Sequence, residues 1–163
     1  MKTVQFKVER VEANSKKSFE KTVAAFDKKV PSADLSALVG MISSRATVQE
    51  IENTIQAMVG DLGFMVLAKL DQGPLVSLLG KSKKMTVYLI GNPVLANRMY
   101  EQTPAVGVYA PLRASIYEDY EGGTHFTYDR PSTLLDQFEN EEIRAVARIL
   151  DERMSSLSDY LTQ

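Results

Sequence analysis

The chain contains one histidine, His125, within the stretch YEDYEGGTHFTYDRPS at residues 117–132. Glu118 and Asp129 lie close to it in the sequence. An imidazole near two carboxylates can transfer protons as a general acid and base, and it can also bind a metal ion. The alternative is structural, because charged side chains also cover the solvated faces of edge hairpins. The sequence leaves these interpretations open.

The pair Gly122-Gly123 predicts a two-residue hairpin turn, since adjacent glycines adopt the positive φ angles of such turns without steric cost. Opposed residues share a face, and the face alternates along each strand. This register places the candidate site residues on one face, beside a predicted pocket: His125, Glu118, Asp129 and Tyr120. It places Tyr117, Phe126 and Tyr128 on the core side. A three-residue turn at 121–123 would instead separate His125 from Glu118.

A metal site has little support from composition, because the chain has one histidine and no cysteines. Transition-metal sites usually need more than one nitrogen or sulfur ligand. The lack of cysteine also excludes disulfides and iron–sulfur clusters within this chain. A dimer would supply a second His125, so a metal or haem site shared by two subunits stays an alternative.

Asn92 is a second candidate, because Gly91-Asn92-Pro93 precedes a predicted helix. Free backbone N–H groups at a helix start can bind phosphate or carboxylate. The segment lacks the glycines of a dinucleotide-binding fingerprint and the lysine of a P-loop. An asparagine cap with proline in the first turn explains it equally simply.

Composition fits one ordinary globular domain of 163 residues, with 44% hydrophobic and 25% charged residues and a net charge of -2. The basic stretch at 81–84 is too short to bind nucleic acid alone, so no nucleic-acid partner is expected. The N-terminus alternates and has no signal-peptide core, and no apolar run reaches the ~20 residues that span a bilayer. We therefore expect a cytoplasmic protein without a membrane partner.

Hydrophobic periodicity predicts the elements. Residues 4–8 alternate as a strand, and residues 18–60 show three helical stripes with caps at Ser18 and Thr47. We expect the helices at 31–60 to pack as part of the core. Strands are expected at 64–70 and 85–90, the second in the centre of the sheet because it is apolar on both faces. A helix from Asn92, the 112–129 hairpin and a helix from about 140 follow. This order indicates an α+β fold with a mainly antiparallel sheet.

Five segments resemble the bacterial family catalogued as domain of unknown function 302: SFEKTV (18–23), GFMVLAKLDQG (63–73), YLIGNPVLANRM (88–99), APLRASIYED (110–119) and GGTHFTYDRPSTLL (122–135). The resemblance implies a single domain over 1–163, similar in outline to the TATA-binding-protein fold and often dimeric. It implies an extra helical segment at about 31–47 and no established activity. Many long members of that family carry a histidine in the LDQG turn, where this chain has Gln72.

The function expected from these observations is that of a homodimeric small-ligand-binding protein with its pocket beside the 117–130 hairpin. One alternative is a haem- or metal-binding protein that uses His125, with two subunits contributing at their interface. The other is an enzyme that uses Glu118, His125 and Asp129 as acid and base.

Overall fold

One antiparallel sheet of five strands organises the chain in the computed structural model, which describes residues 1–81 and 84–163. The strand order is β1-β5-β4-β3-β2, so consecutive strands from β2 to β5 are neighbours and β1 pairs with β5. The strands are β1 (Arg10–Ser15), β2 (Met65–Asp71), β3 (Met85–Gly91), β4 (Leu112–Glu118) and β5 (Thr124–Asp129). The predicted α+β fold with a mainly antiparallel sheet is confirmed.

Seven α-helices occur within the described residues: α1 (Phe19–Lys29), α2 (Leu35–Ser44), α3 (Val48–Met58), α4 (Gly73–Ser77), α5 (Pro93–Tyr100), α6 (Pro131–Leu135) and α7 (Glu141–Thr162). Across those two described ranges, no helix is both long enough and apolar enough to cross a bilayer. Ser82 and Lys83, within the predicted basic turn, lie outside the described residues.

The predicted caps hold the helix starts. The Ser18 hydroxyl accepts a hydrogen bond from the Lys21 backbone N–H. Thr47 and Glu50 form a capping box, in which each side chain bonds the backbone N–H of the other. These bonds satisfy N–H groups that have no partner inside the helix, which is why the local sequence alone predicts them.

The core lies between the helices and one face of the sheet. Helix α1 packs on β4, β5 and α7, and α7 also packs on β1 and β5. Phe26 of α1 stacks on Tyr88 of β3 with ring centroids 3.9 Å apart. The ring centroids of Phe26 and of Phe126, on β5, are 6.1 Å apart. All three aromatic side chains are fully buried, and such rings contribute the largest apolar areas to a core.

The opposite face of the sheet has no helix layer among the described residues, and we call it the open face. Strand β3 lies between β2 and β4, which confirms its predicted central position. Its buried residues, Tyr88 and Ile90 among them, alternate with half-exposed ones such as Val87 and Leu89. Apolar side chains of β3 therefore reach the open face as well as the core.

The predicted strand at 4–8 is wrong, because residues 1–9 form no strand and β1 begins at Arg10. The partner explains the difference. Strand β5 pairs with β1 from Thr124 to Asp129 and then ends, since Pro131 opens α6. Strand β5 therefore offers no partner to residues 4–8, although their alternation fits a half-buried strand.

Helix α2 forms where its apolar stripe predicts it, but the expectation that this stripe packs into the core is wrong. No residue of α2 is buried, and the Ile42 side chain is 79% exposed. Helix α3 does bury Ile55 and packs against α5. Amphipathic periodicity shows that a helix has an apolar face, but it does not show what covers that face.

Candidate functional site

The β4–β5 hairpin has a different register from the predicted one. Tyr117 lies opposite His125, and Glu118 lies opposite Thr124. His125 therefore points to the open face together with Tyr117, whereas Glu118 belongs to the opposite face. The predicted sharing of one face by His125, Glu118 and Tyr120 is wrong, and so is the placement of Tyr117 on the core side. Phe126 and Tyr128 do face the core.

The turn explains the difference in register. Asp119 and Gly123 form the last pair through the Asp119 N–H and the Gly123 carbonyl at 2.8 Å, which leaves a three-residue loop at 120–122. Gly122 has φ +89 at the end of this loop, as in three-residue hairpins with a left-handed third residue. The turn is thus three residues long, but it begins one residue earlier than the alternative at 121–123.

Gly123 does not have positive φ, but it leaves room for a close contact between two side chains. A Cβ atom at this position would lie 2.7 Å from Asp119 Oδ2 and 3.2 Å from His125 Nε2. The two glycines therefore have different roles. Gly122 allows the left-handed backbone, and Gly123 allows a close contact between Asp119 and His125. When both glycines are assigned positive φ from the sequence, the turn is predicted at Gly122-Gly123 instead of at residues 120–122.

Asp119, which the sequence interpretation overlooked, holds this loop together. Its Oδ1 accepts hydrogen bonds from the backbone N–H groups of Glu121 and Gly123, each at 2.8 Å. Its Oδ2 lies 2.6 Å from His125 Nε2. The hydrogen bond from His125, followed by those from the Gly123 and Glu121 backbones, holds the pKa of Asp119 below its ordinary value.

His125 is enclosed by its neighbours, and its side chain is 14% exposed. Its ring stacks on Tyr117 with centroids 4.8 Å apart. Because the Asp119 carboxylate accepts a hydrogen bond from Nε2–H, the neutral imidazole carries its hydrogen on Nε2 and leaves a bare lone pair on Nδ1. This Nδ1 is buried and has no hydrogen-bond partner in the described part of the chain. Burial, followed by the Glu12 carboxylate, raises the pKa of Tyr117 to about 12.

This environment does not fit the metal or haem interpretation. One nitrogen of His125 is bound to Asp119, and the other is inaccessible. A metal ion would have to displace Asp119 to reach Nε2, and burial keeps it from Nδ1. Within residues 1–81 and 84–163, no three side chains of the histidine, aspartate or glutamate type cluster as metal ligands.

The other predicted site residues are dispersed. Glu118 binds Lys84 at 3.1 Å on the helix-covered side of the sheet, and Asp129 binds Arg10 at 2.9 Å on the open face. Tyr120 is 75% exposed at the tip of the loop. The structure thus does not bring Glu118, His125 and Asp129 together as an acid–base cluster.

Asn92 acts as a helix cap. Its Oδ1 accepts hydrogen bonds from the backbone N–H groups of Val94 and Leu95, and its Nδ2 donates to the Gly63 carbonyl at 3.0 Å. The N–H groups that would bind an anion are therefore already satisfied by its own side chain. This geometry supports the capping interpretation of Gly91-Asn92-Pro93.

The open face contains a cavity of about 460 Å³, which we call the open-face cavity. Its polar lining includes Ser115 of β4 and Thr127 of β5, which lie opposite each other. Its apolar lining comes from β2 and β3, and its charged lining comes from β1, β4 and β5. The side chains that line it are Arg10, Leu70, Gln72, Val87, Leu89, Arg113, Ser115, Thr127 and Asp129.

Of the five residues named from the sequence as site candidates, only Asp129 lines this cavity. For the other residues that line the cavity, the sequence contained one signal. Strand β3 is apolar on both faces, which indicates that apolar side chains also lie on the second face of the sheet. The positions of Arg10 and Arg113 in this lining could not be predicted from the sequence, because they depend on the register of β1, β4 and β5.

The fold is an α+β sheet open on one face, and the comparisons assign it to a family. Residues 39–161 match the model of a family described as Domain of unknown function DUF302. The chain therefore belongs to this family. The start of the match lies inside α2, so the extra helical segment at 31–47 stays a prediction.

A solved relative supports the fold. The crystal structure of an uncharacterized conserved protein DUF302 from Bacillus stearothermophilus has a TM-score of 0.65 to this chain. The similarity covers 93% of this chain and 96% of that chain at 16% sequence identity, so it shows a shared fold alone. The search of curated proteins found no match.

We expect Asp119→Asn to destabilise the protein at neutral pH, because the variant loses the ionised acceptor that faces His125. A carboxylate with a lowered pKa stabilises the fold above its unfolded pKa, about 3.9, and this contribution is lost as the pH falls through the folded pKa. The difference in free energy of unfolding between the two proteins should therefore shrink below about pH 4. Urea unfolding at several pH values measures it.

The matched control is Glu121→Gln, which removes a charge from the same loop without changing an acceptor of the loop N–H groups. This control should leave the free energy of unfolding nearly unchanged at neutral pH. An Asp119→Asn difference that stays constant across the acidic range would show that the carboxylate charge does not stabilise the hairpin.

Proposed function

We propose that this protein binds a small ligand in the open-face cavity, beside the β4–β5 hairpin. The observation that carries the proposal is the cavity itself. Its volume of about 460 Å³ lies within the range of about 300–1,000 Å³ that is typical of small-molecule sites. Its lining also combines apolar side chains with a few polar groups, as such sites do.

The apolar part of the lining supports this proposal. Val87 and Leu89 stay half exposed on the central strand of the sheet, and Leu70 is exposed on the neighbouring strand. Covering such side chains stabilises a complex by about 25 cal/mol for each Å² removed from water. A ligand that lies against β2 and β3 would gain this energy without rearrangement of the core.

A binding role is favoured over an acid–base role by the state of the polar groups. Glu118 and Asp129 are each held in an ion pair, and His125 is closed off from the cavity by its own contacts. None of these groups is positioned as a free acid or base. We therefore treat the His125–Asp119 pair as a support of the hairpin and not as a reaction centre.

Filling the cavity tests the proposal. Ser115 lies in the middle of the lining, and a phenylalanine suits its strand conformation. With the dye anilinonaphthalene sulfonate as probe, we expect Ser115→Phe to weaken binding about tenfold, a loss of about 1.4 kcal/mol. Fluorescence titration measures this affinity, and circular dichroism confirms that the variant folds.

The control is Ser156→Phe, which places the same ring on an exposed position of α7. This variant should bind the dye as the unaltered protein does. Equal affinities for the unaltered protein and the Ser115→Phe variant would place dye binding elsewhere and contradict the proposal.

We further propose that the protein is a homodimer in the cytoplasm. The dimer is supported by the outer edges of β1 and β2, which pair with no strand in the described chain, and by three exposed leucines after β2, Leu75, Leu78 and Leu79. Open edges and exposed apolar side chains are surfaces that proteins usually cover. The cytoplasmic location stays a prediction, which fractionation of the host cells would test.

We expect sedimentation equilibrium at micromolar concentration to give about twice the chain mass of 18.1 kDa. Salt should change this result little if the leucines form the contact, since apolar association does not depend on charge screening. A mass equal to one chain throughout the micromolar range would contradict the dimer.

A further inference from the structure

Three charged side chains form a row across the open face, which we call the charged row: Arg10, Asp129 and Arg113. Arg10 pairs with Asp129 in the β1–β5 register. Extending the β4–β5 register by one residue beyond Ala114↔Tyr128 places Arg113 opposite Asp129. All three side chains line the open-face cavity. One carboxylate thus lies between two guanidinium groups.

The charges in this row do not balance. Asp129 accepts a hydrogen bond from Arg10 Nε at 2.9 Å, and this contact is an ion pair. Arg113 has neither an ion pair nor a side-chain hydrogen bond with any residue in the described ranges. These three are the charged side chains of the cavity lining, so the lining carries a net charge of +1. The excess charge is located at Arg113.

The remaining hydrogen-bond donors point to the same conclusion. The Ser115 hydroxyl donates to the Thr86 carbonyl, and the Thr127 hydroxyl donates to the Val11 carbonyl. Both hydroxyls have therefore used their hydrogens and offer only lone pairs. Arg113 is the arginine of this lining whose guanidinium charge has no carboxylate partner, whereas Arg10 is paired with Asp129 through its Nε. A planar guanidinium favours a carboxylate or a similar anion, with which it forms two parallel hydrogen bonds.

Apolar side chains adjoin this free cation on one side only. Leu89 lies opposite Arg113 in the β3–β4 register. Val87 lies two residues along β3, and Leu70 lies opposite Val87 on β2. The cavity is therefore cationic over β4 and apolar over β3 and β2. A ligand that matches both halves has an anionic group at one end and a hydrocarbon or ring at the other.

We infer that the ligand of this cavity is an amphipathic monoanion, whose head group binds Arg113 and whose apolar part lies on Val87, Leu89 and Leu70. This inference rests on the proposed function, because it assigns a chemical class to the ligand of the same cavity. The single excess positive charge of the lining selects a head group with one negative charge.

Three probes that share a phenyl ring and differ in charge test the inference: phenylacetate, phenylacetamide and phenethylamine. Each is titrated into isotope-labelled full-length protein, and the shifts of backbone amide resonances along β2 to β5 locate and quantify binding. We expect phenylacetate to bind at least about ten times more tightly than phenylacetamide, and phenethylamine to bind weakest.

Substitutions in the charged row should change this order in opposite directions. Arg113→Gln should reduce the affinity for phenylacetate to that for phenylacetamide and leave phenylacetamide unaffected. Arg113→Lys, which keeps the charge, should retain part of the preference. Asp129→Asn raises the net charge of the lining and should strengthen phenylacetate binding. The control Arg148→Gln removes an exposed arginine from α7 and should change nothing.

The outcomes separate the inference from the proposed function. Equal binding of phenylacetate and phenylacetamide in the cavity would overturn the inference and leave the cavity as a ligand site. Tighter binding after Arg113→Gln would also overturn the inference. If none of the three probes shifts the cavity resonances at millimolar concentration, the proposed function fails together with the inference.

Discussion

The pairing of β4 with β5 decides which side chains of this protein meet the helices and which meet solvent. Side chains on opposed positions share a face, so a shift of one residue in this register would exchange the two faces of one strand relative to the other. The observed register buries Ile116 and Phe126 against α1 and α7. It equally places Arg113 and Asp129 on the open face. The core and the candidate site thus both depend on the register of β4 with β5.

That alignment is set by the loop that joins the two strands. At the loop, Asp119 binds two backbone N–H groups and His125, and Gly123 leaves room for the contact. His125 has its clearest role here, because its contact with Asp119 holds the hairpin on which the cavity is built. The residues that support the hairpin are therefore different from those that we propose to bind the ligand.

Local patterns predicted much of the fold, because a cap or an amphipathic stripe is set by residues a few positions apart. The caps at Ser18 and Thr47 are examples, and the central position of β3 followed from its apolar character on both faces. The hairpin register was missed because it depends on the contact of Asp119 with His125 across the loop. Arg113 was missed because its importance arises from what its neighbours on two other strands leave unpaired. In the same way, nothing near α2 in the sequence shows that its stripe stays uncovered.

The account depends on one claim, that the open face binds a small anion. Native mass spectrometry of protein purified from its own host measures this most directly, because it reports any retained molecule together with its stoichiometry. The account predicts one small molecule for each chain of 18.1 kDa, released on unfolding and detected afterwards as a singly charged anion. Chains without a retained molecule, or a retained molecule that is a cation, would contradict it.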